Sequence, residues 1–367
     1  MNAKTILNNP DLMFLCLTLF IFTLYLFNSD FVDISLYTFS HYLMFSIFLT
    51  CSYRFFLILF SPVRFKVKAF IPPNFIYICA LTLACYSIYK LASFVMVNSL
   101  SSFMMLRSSV SGSEAKISLG VGLSLPFVIA AWYISKLNKS KLSPLFIVLA
   151  LILAAISTTK IFLFVIVFYM LFFSNVNLLK IFLALFILLS LFFLSHLILE
   201  KFSSNPDDGI IRALWNTLLV YLFGAVAAFQ NLISGSVVLE KYIMFTSIEN
   251  VVYLFGIENV PNSAILPWTK IGNWNTNVYT AFGSWYSLVG GFYLFFAPLL
   301  LGGYYALFFS KLGGSDIFKF YKPFLIFCLA FIYMADQFIP ALLMHLIYLG
   351  MSILVSMTTV KTEVDGI

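Results

Sequence analysis

Residues 143–174 read SPLFIVLALILAAISTTKIFLFVIVFYMLFFS, and this stretch decides what kind of fold the chain adopts. A membrane-spanning helix needs about 20 apolar residues. This run is too long for one crossing, and the polar Ser157-Thr158-Thr159-Lys160 at its middle marks a tight turn between two. The same density of apolar residues extends outward in both directions. Candidate spans fall near 12–28, 36–61, 73–96, 118–136, 143–159, 160–174, 178–198, 283–308, 321–338 and 340–357, about ten in all by the length criterion. Of the 367 residues, 62% are hydrophobic and 10% charged, against about 25% charged in soluble domains. Such a chain cannot remain in water, and the expected fold is an all-α polytopic membrane protein.

Orientation follows from the positive charges, because short loops rich in Lys and Arg stay in the cytoplasm. Three clusters stand out: Arg64, Lys66 and Lys68; Lys136, Lys139 and Lys141; and Lys311, Lys319 and Lys322. The loop after the first span carries Asp30 and Asp33 and no cation. Ten spans with both termini inside put every cluster in the cytoplasm. Residues 211–230 are apolar enough to cross but would break this parity. They are therefore expected to form a re-entrant or interfacial helix, broken near Gly224, within one large periplasmic loop. The expected organisation is an N-terminal transmembrane bundle (1–198), the periplasmic loop (199–282) and C-terminal transmembrane helices (283–367). Topology accounts for the net charge of +7: the cations are scattered singly and form no basic arm, which argues against nucleic acid as a partner. Cys16, Cys51, Cys79, Cys85 and Cys328 all lie in apolar runs without CxxC spacing, so neither a disulfide framework nor a zinc site is indicated.

On this topology His41, His196 and His345 fall in the outer half of a span. His345 and His196, ionisable and enclosed by apolar residues, are the stronger catalytic candidates. Cations outside the cytoplasmic loops suit a diphosphate, and Arg suits it best because its planar fork bonds two oxygens at once. Arg107 and Arg212 lead, followed by Lys160 and Lys90, while Arg54 belongs to the same set of outer cations. Asp336 and Glu258 are candidates to orient a base or an acceptor hydroxyl. Asp207-Asp208 lies between Asn205-Pro206 and Gly209, which is ordinary turn chemistry, and no metal site is expected. Walker, nucleophile-elbow, HExxH and Rossmann patterns do not occur.

The stretch Asn275-Thr276-Asn277-Val278-Tyr279-Thr280-Ala281-Phe282-Gly283-Ser284-Trp285-Tyr286, followed by Gly290-Gly291 and Gly302-Gly303, resembles the Wzy oligosaccharide repeat-unit polymerases of bacterial surface polysaccharides. In that family an N-V-Y-T signature precedes a span opening with Y-x-D-x-G. Tyr286 and Gly290 match, and Leu288 stands where the family often has Asp. Ser157 to Lys160 is similar to a family Ser-Arg turn, with Lys keeping the charge and losing the fork. The resemblance implies a metal-independent glycosyl transfer without a cofactor, at the periplasmic face of the inner membrane. The donor would be a glycan on undecaprenyl diphosphate, and the acceptor a hydroxyl of the next lipid-linked unit. Arg107, Arg212, Lys160 and Lys90 would hold the diphosphate, and His345, before His196, Asp336 or Glu258, would take the hydroxyl proton. Asn277, Tyr279 and Tyr286 would contact sugar, as would Trp268, Trp274 and Trp285 by stacking. Implied partners are the lipid-linked oligosaccharide, membrane lipids and, as an open possibility, a chain-length regulator protein. An O-antigen ligase and a flippase for the same lipid-linked units are the alternative activities.

Overall fold

In the computed structural model, α1 (Pro10–Phe27) starts on a proline, which fits the first turn because its missing N–H has no helical partner there. α2 (Leu36–Leu59) is capped by Ser35, whose hydroxyl accepts the Thr38 backbone N–H at 3.2 Å. The structure describes residues 9–60, 67–98, 113–156, 160–173, 186, 190, 209–239, 267–271, 274–276, 279–310, 316–334, 336–338 and 341–359. Two units divide the chain. The first comprises Met1–Pro62, Leu189–Leu312 and Leu325–Leu343, and the second Val63–Leu188, Gly313–Phe324 and Met344–Ile367.

In the first unit α1 and α2 form an antiparallel pair. The Tyr25 hydroxyl donates to the Ile34 carbonyl at one end, Thr18 and Ser46 hydroxyls meet at 3.0 Å midway, and Arg54 holds Asp11 at 2.7 Å at the other end. Arg54 is therefore removed from the outer set: it is paired at the end opposite to residues 28–35. The buried face of α2 is Thr38, His41, Tyr42, Phe45, Ser46, Leu49 and Tyr53, a single stripe at helical spacing. Its exposed positions are Leu36, Tyr37, Leu43, Met44, Ile47, Cys51, Arg54, Phe55, Ile58 and Leu59. Most of the helix's hydroxyl and imidazole groups are inside and most of its exposed residues are apolar, as lipid contact requires.

α7 (Ile210–Ile233) is continuous, so the break expected near Gly224 does not occur. Phe223 to Phe229 are all buried, and that packing outweighs the roughly 1 kcal/mol that a mid-helix glycine costs. At 24 residues the helix is about 36 Å long, enough to cross a bilayer, and a crossing here keeps the charge parity only with one span fewer elsewhere. Its C-terminal end is tied to the start of α2, because Gln230 Oε1 accepts from the Ser35 N–H (2.7 Å) and the Thr38 hydroxyl (2.9 Å). Residues 28–35 and the region after α7 therefore share one end of this unit.

α8 (Ala281–Val289) leads through a short 3-10 turn at Gly290–Phe292 into α9 (Tyr293–Phe309). α9 runs parallel to α2, with Tyr293 against His41, Phe295 against Phe48 and the Leu299 carbonyl on the Ser52 hydroxyl. Gly302 makes this approach possible. A Cβ there would meet the Ser52 hydroxyl and lie 2.7 Å from Ser52 Cβ and 2.8 Å from Tyr53 N. Small residues of this kind let helix backbones come together in lipid.

In the second unit α3 (Pro73–Asn98) and α4 (Ser113–Leu137) pack together through a Ser87–Ser124 hydrogen bond of 2.7 Å. α5 (Ser143–Ile156) and α6 (Lys160–Phe173) are separate helices, as the polar tetrapeptide required. They fold back on each other, Phe146 and Ala150 sharing one small void with Ile166 and Tyr169. α10 (Lys322–Ala330), whose first three residues belong to the second unit and the rest to the first, is nine residues and gives way to turns at 331–334, so the expected span 321–338 is not one helix. α11 (Leu342–Ser356) buries His345, Tyr348, Met351, Ser352 and Val355. Among the described residues, four helical stretches are long and apolar enough to cross a membrane: Pro10–Phe27, Leu36–Leu59, Ile210–Ile233 and Ala281–Phe309. The segment 178–198 lies almost wholly outside the described residues.

Candidate functional site

The signature stretch begins on a two-stranded hairpin. β1 (Thr269–Ile271) and β2 (Trp274–Thr276) pair antiparallel, Thr269 opposite Thr276 and Ile271 opposite Trp274. Asn231, just beyond Gln230, fixes the hairpin to the end of α7 by donating to Thr269 Oγ1 (2.8 Å) and the Lys270 carbonyl (3.0 Å).

From there the chain descends into the first unit. Tyr279, Thr280, Ala281 and Phe282 are each at most 2% exposed. Non-helical backbone at such depth needs internal partners, and it has them. The Tyr279 hydroxyl donates to the Pro267 carbonyl (3.0 Å), the Ala281 N–H to the Ile332 carbonyl (3.0 Å), and the Tyr42 hydroxyl to Thr280 Oγ1 (3.4 Å). Burial pushes the Tyr279 hydroxyl up to about 12, which keeps it a donor at any physiological pH. Phe282 is wedged edge-on against Tyr42 and Phe45, both at 4.5 Å.

The following helix returns toward the end from which the chain came. Phe282 lies at the depth of Tyr42 and Phe45, and Tyr293 at that of His41, so the chain between them ends close to the depth at which it began. Gly290 makes the reversal with φ +61°, a value that L side chains adopt rarely. Tyr279 to Gly290 is thus a dip and return.

At the mouth of this return sits a cluster of rings and polar atoms. His41 Nδ1 and the Tyr293 hydroxyl are 2.6 Å apart. Tyr37 packs edge-on against the imidazole at 4.7 Å, and Phe229 lies within 6.3 Å of His41, Tyr286 and Tyr293. Tyr37 is exposed and Tyr286 half-buried, while the Trp285 indole N–H is buried without an acceptor among the described residues. Such a surface of ring faces and hydrogen-bonding groups is suited to sugar.

The sequence candidates distribute unevenly over this geometry. Tyr279 and Tyr286 belong to it. Arg212, exposed on the first turn of α7, stands about 27 Å along the helix from Gln230 and does not reach the cluster. Asp336 Oδ1 accepts the Phe338 backbone N–H at 2.8 Å and shapes a local turn. His345 belongs to the second unit, its Nδ1 on the Tyr321 hydroxyl at 2.6 Å. Lys90 is exposed, its Nζ 5.5 Å from the Tyr86 ring centre, and Lys160 opens α6. Arg107, His196, Glu258 and Asn277 lie outside the described residues.

His41 also belongs to the cluster. Its signal is the run of polar positions Thr38, His41, Tyr42 and Ser46 on one face of an otherwise apolar span, since polar groups in spans face the bundle interior.

Over 255 residues the chain is 34% identical to an O-antigen polymerase of Shigella dysenteriae. The matched region covers 69% of this chain and 64% of that protein, so the chain spans less than two thirds of its relative's length. No family model and no solved structure matches.

Proposed function

We propose, taking the chain as the member of the Wzy-type O-antigen polymerase family that this relationship makes it, that it joins undecaprenyl-diphosphate-linked oligosaccharide repeat units. The reaction belongs at the periplasmic face of a bacterial inner membrane, with both termini of the chain in the cytoplasm. The observation that carries the reading is the identity to an O-antigen polymerase. Support comes from the buried return of Tyr279 to Gly290, which ends beside a cluster of Tyr37, His41, Tyr286 and Tyr293. Support for the outer face comes from the acidic, cation-free loop at Asp30 and Asp33, which shares that end of the unit through Gln230.

In the transfer, an acceptor hydroxyl oxygen attacks the anomeric carbon of the donor glycan. The bond from that carbon to the diphosphate breaks, and its electron pair leaves with undecaprenyl diphosphate. The hydroxyl proton passes to a base sought among His345, His196, Asp336 and Glu258. Cationic donors stabilise the leaving diphosphate electrostatically, so the step runs without a metal. Arg107, Arg212, Lys160 and Lys90 are each proposed for that role and are tested singly. Arg212 has the weakest case, given its distance from the Gln230 end.

Deleting the gene tests the reading. Surface polysaccharide collapses to one repeat unit per lipid anchor if it is right. An unchanged ladder of chain lengths refutes it, and accumulation of long chains unattached to lipid A core indicates a ligase instead.

A further inference from the structure

The Tyr293 side chain is wholly buried, and the acceptor its hydroxyl meets among the described residues is His41 Nδ1 at 2.6 Å. A buried hydroxyl donates to whatever acceptor it has. Tyr293 therefore gives its proton to the hydrogen bond, and Nδ1 offers its lone pair. In a neutral imidazole one nitrogen donates and the other accepts, so the proton of His41 is on Nε2. That nitrogen makes no hydrogen bond with a described residue, and it is not among the sealed polar atoms of the molecule. Exposed Tyr37 packs on the ring, and half-buried Tyr286 packs on its partner Tyr293. Helix α2, locked by Ser35 and Gln230 at its first turn, holds the imidazole in place. A histidine that merely filled the core would have both ring nitrogens enclosed.

We propose that His41, oriented by Tyr293, presents Nε2–H at the mouth of the signature return as the hydrogen-bond donor to an oxygen of the lipid-linked oligosaccharide. This rests on the polymerase reading and assigns a substrate-binding residue to it. The imidazole donates without surrendering its proton, so it complements the separate base that takes the acceptor's proton. Tyr293 acts through His41 and is a positioning residue.

Nitrogen-15-histidine-labelled protein in detergent tests the proposal. His41, assigned by its loss in His41→Gln, is expected to have a protonated Nε2 and a bare Nδ1. Its Nε2 signal is expected to move on adding undecaprenyl diphosphate or the free repeat-unit oligosaccharide, and the probe that moves it tells phosphate oxygen from sugar oxygen. Tyr293→Phe loses the tautomer preference at unchanged helix content. In polymerisation with purified protein, His41→Ala costs about 100-fold in kcat/KM, the range seen when one preorganised donor is removed. His41→Gln, which keeps an N–H in reach, recovers at least about tenfold of that loss. A protonated Nδ1 in the parent, or an Nε2 signal unmoved by both probes, overturns the proposal. The deletion ladder judges the polymerase reading without involving His41, so the two fail separately.

Discussion

His41 and His345 are built alike and placed differently. Each carries its Nδ1 2.6 Å from a buried tyrosine hydroxyl, Tyr293 for one and Tyr321 for the other. Around His345 the pair is closed in by rings: Phe324 lies 5.0 Å from the imidazole and stacks on Tyr348 at 4.2 Å. Ser352, two turns further along α11, bonds the Tyr321 N–H and ties that turn down. Around His41 the neighbours are exposed Tyr37 and the half-buried rim of the signature return. A tyrosine hydroxyl is thus a general way of satisfying an imidazole in an apolar span. What differs between the two settings is how closely rings enclose the pair.

The largest expected effect puts the two pairs side by side. His41→Ala is expected to collapse polymerisation by about 100-fold at near-normal membrane abundance. His345→Ala removes the acceptor of a buried tyrosine, at about 1–3 kcal/mol, and is expected to lower abundance, with activity per molecule falling as well if His345 is the base. Chain-length ladders normalised to immunoblotted protein decide it. The reverse pattern, abundance lost through His41 at unchanged activity per molecule, breaks the comparison.

The helices that carry the pairs differ as well. Gly302→Ala forces a methyl into Ser52 and the Tyr53 backbone, prying α9 from α2 and hence Tyr293 from His41, at about 1–3 kcal/mol of overpacking. Gly350→Ala on α11 meets open space and gains up to about 1 kcal/mol of helix propensity. Thermal unfolding in detergent reads both. Equal shifts in the two variants mean that close approach is not what sets His41.

Most helices were legible because hydropathy reports length and apolarity, and the Ser157 to Lys160 turn was legible because polar residues cannot sit mid-span unpaired. Depth was not. Tyr279 to Phe282 reads as the approach to an ordinary span, since nothing in its residue types says that it descends to Tyr42 before turning at Gly290. Gly224 reads as a break, and only the burial of Phe223 to Phe229 overrules it. Charge parity places a histidine on a side of the membrane but cannot pair it: the partner of His41 lies 252 positions away. The candidate site was therefore half visible, Tyr279 and Tyr286 by resemblance and His41 by nothing local beyond a polar stripe.

The smallest expected effect concerns the anchoring of that descent. The Tyr279 hydroxyl, about 10 in an unfolded chain, is raised to about 12 by burial, so the folded state favours its neutral form. The stabilisation this provides is complete below about pH 10 and lost as pH climbs toward 12. Tyr279→Phe lacks both the titration and the hydrogen bond to the Pro267 carbonyl, and melts lower by the equivalent of about 1 kcal/mol at neutral pH. The remaining tyrosines and the lysines titrate in parent and variant alike and cancel in the difference between their melting temperatures. That difference is expected to be constant up to about pH 10, to close above it and to reverse before pH 12, because two units of pKa are worth about 2.7 kcal/mol. A gap that stays constant across the alkaline range means that the hydroxyl is not held neutral by burial, and that the signature does not enter the unit to the depth Tyr279 marks.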